Sequence, residues 1–189
     1  MTKQVFDGLT PLYRRDAITV AGVNDQRIIA KVQAELAGVL ERGGTDADFR
    51  KAVDGITDTA GVERIAGFEL DTVFNTNVGK AYSAGRYEQM NGDSTREALP
   101  YWQFWTVGDD RVRPEHRALD QFLARAIDPV WNKIYPPCGY NCRCSVVPLM
   151  QDEALDIDPH AGEDGRMRLP LLAREKVPQA GFKNILGVG

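Results

Sequence analysis

A chain of 189 residues is long enough to bury a real apolar core, and 43% hydrophobic with 26% charged residues is ordinary globular material, which argues against wholesale disorder. The formal net charge of -4 and pI near 5.3 argue against a protein that wraps duplex DNA through a general basic surface, while leaving room for a local basic strip. No apolar run approaches the roughly 20 residues of a membrane-spanning helix, and the opening MTKQVFDGLTPLYRRD lacks the apolar core of a signal peptide, so the expected setting is a reducing cytoplasm.

Residues 1–24 show no sustained period and read as an arm. From Asp25 the apolar residues Ile28, Ile29, Val32, Leu36, Val39 and Leu40 recur at three and four positions, which predicts a helix capped by Asn24 or Asp25 and ended by Gly43-Gly44. Thr45 with Asp48 resembles a capping box for a second helix with Phe49, Val53 and Ile56 inside. A long helical stretch is expected from about Val62 to Met90, with Ile65, Leu70, Val73, Phe74, Ala81 and Tyr82 in the core. Gly67, Gly79 and Gly85 each cost such a helix about 1 kcal/mol relative to alanine, so either a break near Gly67 or a close helix crossing at the later two is expected. Asn75 and Asn77 are expected to face solvent or bond a neighbouring loop.

Asn91 to Ser94 is a turn cluster and the candidate internal boundary. Beyond it, Tyr101 to Val107 is aromatic and β-branched, Gly108-Asp109-Asp110 can turn the chain, and Arg111 to Arg113 can return, so a β-hairpin is predicted. Both faces of its first strand are apolar and should be covered. Pro114 suits the first position of another helix, predicted over Glu115 to Ala126, on which His116, Leu119, Asp120 and Leu123 would share one face. Pro129, Pro136 and Pro137 predict an extended loop, followed by CGYNCRCSVVPL as a turn and a strand. The acidic stretch after Leu149 and the closing tail are expected to lie on a surface, anchored by Phe182.

Three cysteines between positions 138 and 144 are an odd count in a reducing compartment, so a disulfide framework is a poor fit. In an extended segment Cys142 and Cys144 point to the same side, and Cys138 can swing towards them across a glycine-containing turn. With His116 they offer a Cys₃His set of the kind that closes a structural zinc site; Asp120 is either an alternative fourth ligand or the acceptor that orients His116. Two other uses stay open: plain packing, because cysteine is commonly buried, and catalysis, with Cys142 or Cys144 as thiolate, His116 as base and Asp120 as orienter. HExxH, G-x-S-x-G and P-loop signatures are absent. Arg111, Arg113, Arg117 and Arg143 are a solvated face or a basic strip for nucleic acid.

RVRPEHRALD followed by YPPCGYNCRCSVVPL closely resembles the signature of the Mu F-like phage head morphogenesis family. FNTNVGKAYSAGRYEQM is similar to the helix preceding that signature, and VPQAGFKN to the tail following it. The resemblance implies a minor head protein working with portal, capsid or scaffold proteins in the host cytoplasm and the virion head. It carries over His116, Asp120, Cys142 and Cys144 as the recurring polar set. Gln121 stands where the family commonly has glycine, and Cys138 where cysteine is often missing, which favours Asp120 over Cys138 as a fourth ligand.

The expected fold is α+β, an N-terminal helical layer packed on a small antiparallel sheet with a Cys/His knot. Its parts are an arm (1–24), a helical part (25–92), a β-hairpin, helix and cysteine-rich unit (93–150) forming one domain with it, and a tail (151–189). The expected function is head morphogenesis without catalysis, with zinc as structural cofactor, contact with the portal or capsid interior and with packaged DNA, and no membrane partner. The alternative is a zinc- or thiol-dependent hydrolase, such as a nuclease, centred on His116, Asp120 and the cysteines.

Overall fold

A computed structural model of the chain describes residues 25–160, 167, 170–180, 182 and 184–186. The arm expected over 1–24 lies outside the described residues. The fold is α+β, helices with one small antiparallel sheet. The chain divides into two compact units, one up to Tyr82 and one from Ser83 onward, and a single helix contributes residues to both.

The first unit is helical. Helix α1 (Gln26–Glu41) starts where Asp25 accepts a hydrogen bond from the Arg27 N–H, as its sequence pattern requires. Gly43 ends it with a positive φ, and at Gly44 an added Cβ would sit 2.9 Å from Val39 Cγ1, so the turn needs glycine there. Helix α2 (Asp46–Ala60) carries the full Thr45/Asp48 capping box. Ile28, Val32, Leu36 and Val39 pack with Phe49 and Val53 and with Ile65, Leu70, Val73 and Phe74, and the Phe49 and Phe74 rings stack at 5.8 Å. Helix α3 (Gly67–Met90) begins at the expected glycine. Tyr82 is exposed rather than in the core, because the buried stripe runs through Asn77, Lys80, Ser83 and Ala84. Asn77 is buried and donates to the Val73 carbonyl one turn back, and Asn75 faces solvent.

In the second unit the short helix α4 (Asp93–Ala98) forms after Gly92 and leads into strand β1 (Tyr101–Trp105). The hairpin partner differs from expectation. Arg111 to Arg113 is not a strand; β1 pairs instead with β2 (Leu123–Arg125) and with β3 (Ser145–Leu149), both antiparallel, in the order β2-β1-β3. The physical reason is local: Asp109 captures the Arg111 N–H, and Pro114 starts a helix immediately afterwards.

That helix, α5 (Pro114–Arg117), has only 4 residues, so the longer helix predicted to Ala126 is also corrected. After Arg117 the chain closes successive i to i−3 turns, with Leu119 N–H to His116 O and Asp120 N–H to Arg117 O, and Gln121 takes φ 61°. The Gln121 and Phe122 backbone then bonds to Phe104, committing Leu123 to the sheet. Helix α6 (Trp131–Ile134) interrupts the proline loop, α7 (Gln151–Ile157) the acidic segment, and α8 (Leu171–Lys176) the tail.

Alternation along β1 sends Trp102 and Phe104 to one face and Tyr101 and Gln103 to the other, and all four are buried. On the first face Trp102 meets Tyr87 at 5.8 Å, Trp131 at 5.7 Å and Tyr135 at 5.6 Å. Tyr101 and Leu123 pack with Ala154 on the other. Trp105, expected inside, is 46% exposed.

Several outward carbonyls of the sheet edges are taken. On β2 the outward carbonyl of Leu123 accepts from the Met167 N–H, and that of Arg125 from Trp131 Nε1. On β3 the Val146 carbonyl accepts from Arg86, and Pro148, opposite Trp102, has no N–H to offer.

Candidate metal centre

His116 sits in α5, which Pro114 initiates, and is 2% exposed. The cysteines arrive from the other direction. A turn closed by Cys142 N–H to Gly139 O, with Asn141 at φ 55°, delivers an extended segment just before β3, so Cys142 and Cys144 face the same way. Cys142 Sγ lies 3.6 Å and Cys144 Sγ 3.7 Å from His116 Nδ1. The three ligand atoms lie within 4.8 Å of one another and could hold a metal ion.

The other two residues of the expected set are elsewhere. Asp120 does not orient His116: its Oδ1 accepts from the backbone N–H of Thr106 at 2.8 Å and from the Thr106 hydroxyl at 2.9 Å. Cys138 is fully buried, and its thiol donates to the Ile134 carbonyl at 3.0 Å. His116 Nε2 is buried and has no hydrogen-bond partner among the described residues.

The thiols are unequal. A hydrogen bond from Cys144 and the neighbouring imidazole hold the Cys142 thiol well below its ordinary range, against its burial. The same bond and burial push Cys144 up, so the pair favours one shared thiolate. Burial, with the neighbouring Cys142 thiolate adding to it, raises Cys138 well above its ordinary value.

Four arginines surround this group, and three of them brace it. Arg143, between the cysteines, makes two bonds of 2.7 Å to Asp109, and Arg117 donates to the Asp109 carbonyl at 2.6 Å. Arg143 holds the Asp109 carboxyl at a pKa of about 2. Arg113 donates to the Tyr140 carbonyl. Arg111 reaches Asp109 loosely, at 3.6 Å, and is 77% exposed. Sequence inspection missed Asp109 and Gln179. The only signal for Asp109 was its place in a Gly-Asp-Asp turn beside a future arginine partner. Gln179 bonds the Cys138 carbonyl and the Tyr140 N–H, so close to Gly139 that a Cβ there would lie 2.7 Å from its Oε1. Phe182 is buried against Tyr140 at 5.2 Å, the tail anchor expected from sequence.

Residues 30–147 match the sequence profile of the family described as Phage Mu protein F like protein. A protein F of Escherichia phage Mu, named for capsid assembly, is 32% identical over 146 residues, 69% of this chain and 33% of that protein. The FluMu F protein of a Mu-like prophage in Haemophilus influenzae is 39% identical over 98 residues, 50% of this chain and 23% of its own length. An uncharacterized protein of Methanocaldococcus jannaschii is 31% identical over 101 residues, 51% of this chain and 16% of its own length. The chain thus spans a third or less of these relatives. No solved structure matches.

Proposed function

From the premise that this chain belongs to the Mu F-like family, we propose that it is a non-enzymatic minor head protein acting in phage head morphogenesis. The observation that carries this is the family match across 30–147, together with the capsid-assembly name of the phage Mu relative. Its partners in this reading are portal, capsid or scaffold proteins, met through the arm at 1–24 and the tail at 151–189, with packaged DNA as a further contact. It works in the host cytoplasm during assembly and remains in the virion head. No helix among the described residues is long and apolar enough to cross a membrane.

Zinc is the metal that the ligand chemistry supports, bound by His116, Cys142 and Cys144. With Zn–S of about 2.3 Å and Zn–N of about 2.0 Å, the N to S edge of a tetrahedral site is about 3.5 Å. The N to S separations of 3.6 and 3.7 Å agree with that edge. When bound, zinc would tie α5 to the segment entering β3 and supply folding energy, as structural sites do.

The hydrolase alternative has a thiol of lowered pKa beside an imidazole. It lacks support for an orienting acid, because Asp120 is bonded to Thr106 and His116 Nε2 has no partner among the described residues.

Co-sedimentation with assembled heads or portal tests the assembly function, and association with at least one is expected. Absence from both would overturn it. Elemental analysis tests the metal, with about one zinc per chain expected and a metal-free protein refuting it.

A further inference from the structure

The geometry points to a coordination position that the described residues leave open, filled from outside by a carboxylate, the acidic side chain of another protein. The inference rests on the zinc reading above. Every histidine and cysteine of the chain is among the described residues, so the soft-ligand inventory is complete. His160 is not in the group, Cys138 is committed to the Ile134 carbonyl, and Asp120 is committed to Thr106. Three protein ligands with a fourth place free is the arrangement of sites that receive an exchangeable ligand, whereas closed structural sites have four.

The surroundings select the charge and size of that ligand. Two thiolates would neutralise a divalent cation, and the cleft at the group is lined by Arg111, Arg113 and Arg143, with the Asp109 carboxylate paired to Arg143. Three guanidinium groups against one carboxylate leave an excess positive charge that favours an anion. The cleft volume is only about 20 Å³, room for a single oxygen-bearing arm. Arg111, exposed and loosely held, can turn its planar fork onto the second oxygen of a carboxylate. The rim is apolar: Val107 lines the cleft and is 49% exposed, and the exposed Trp105 pairs with Ser145, next to Cys144. A protein surface presenting an acidic residue would cover it.

The test is the cobalt-loaded chain titrated with acetate, and separately with inorganic phosphate, followed by its visible absorption bands. Acetate should shift the bands saturably, and Arg111→Gln should weaken that response about tenfold, as expected for losing a charge-assisted bond. Bands unmoved by acetate but altered by Cys138→Ser would mean that Cys138 closes the site, and the inference fails. Unmoved bands in both experiments fail it too, a carboxylate of this chain being the remaining closer. Phosphate saturating at lower concentration than acetate would overturn the carboxylate assignment. Failure to bind cobalt at all would instead sink the zinc reading itself.

Discussion

Asp120 is bonded to Thr106, and Asp120→Ala tests what that contact holds. Its Oδ1 accepts two hydrogen bonds, from the N–H and the hydroxyl of Thr106, a residue only 4% exposed. Removing the acceptor strands two buried donors, and each unpaired group costs about 1–3 kcal/mol. Asp120 itself is exposed, so water can partly replace it, and the lower half of the range applies, about 2–4 kcal/mol in total. Asp120→Asn keeps an oxygen at that position and should cost about 1 kcal/mol or less. With a urea slope of about 1–3 kcal/mol/M, Asp120→Ala should lower the unfolding midpoint by about 1 M. Metal content should be unchanged in both variants. Loss of zinc in Asp120→Ala with the midpoint preserved would show a ligand instead of a brace, and the reasoning from Thr106 would be refuted.

Three further outcomes are expected. Phe182→Ala removes a buried ring from its edge-on contact with Tyr140 and should cost about 3–5 kcal/mol by thermal unfolding; a change below about 1 kcal/mol would show that the tail does not hold the cysteine turn. Thr45→Ala removes the capping box of α2 and should cost about 1 kcal/mol, read in the same assay. Asp109 has its folded pKa lowered by Arg143 to about 2, so its contribution is fully present above its unfolded value of about 3.9 and is lost as pH falls through about 2. Urea midpoints measured from pH 5 to 2 should therefore fall less steeply in Asp109→Asn than in the unsubstituted chain, and identical slopes would remove Asp109 from the account.

The helices of the first unit were legible because their information is local. Asp25, Thr45 and Asp48 cap their own backbones, and the spacing from Ile28 to Leu40 fixes one face without reference to distant residues. The region after Pro114 misleads because His116, Leu119, Asp120 and Leu123 have helical spacing, while the competing influence is nonlocal: Phe104 donates its N–H to the Phe122 carbonyl and accepts from the Gln121 N–H. A strand of 3 residues is too short to show alternation. In the site, Cys142 and Cys144 could be paired from a strand's period of two, and His116 from ligand type. The placing of Asp120 on Thr106 and of Cys138 on Ile134 rests on partners that no spacing rule selects.

The partly occupied sheet edges set a limit on how such a protein associates. A bare edge would invite templated growth from any passing extended segment. Here the outward carbonyls of β2 are taken by Met167 and Trp131, that of Val146 by Arg86, and Pro148 withholds a donor. A neighbour's backbone therefore finds fewer groups to pair with along either edge. Such edges favour recognition through side chains, which can discriminate between partners, over main-chain pairing, which cannot.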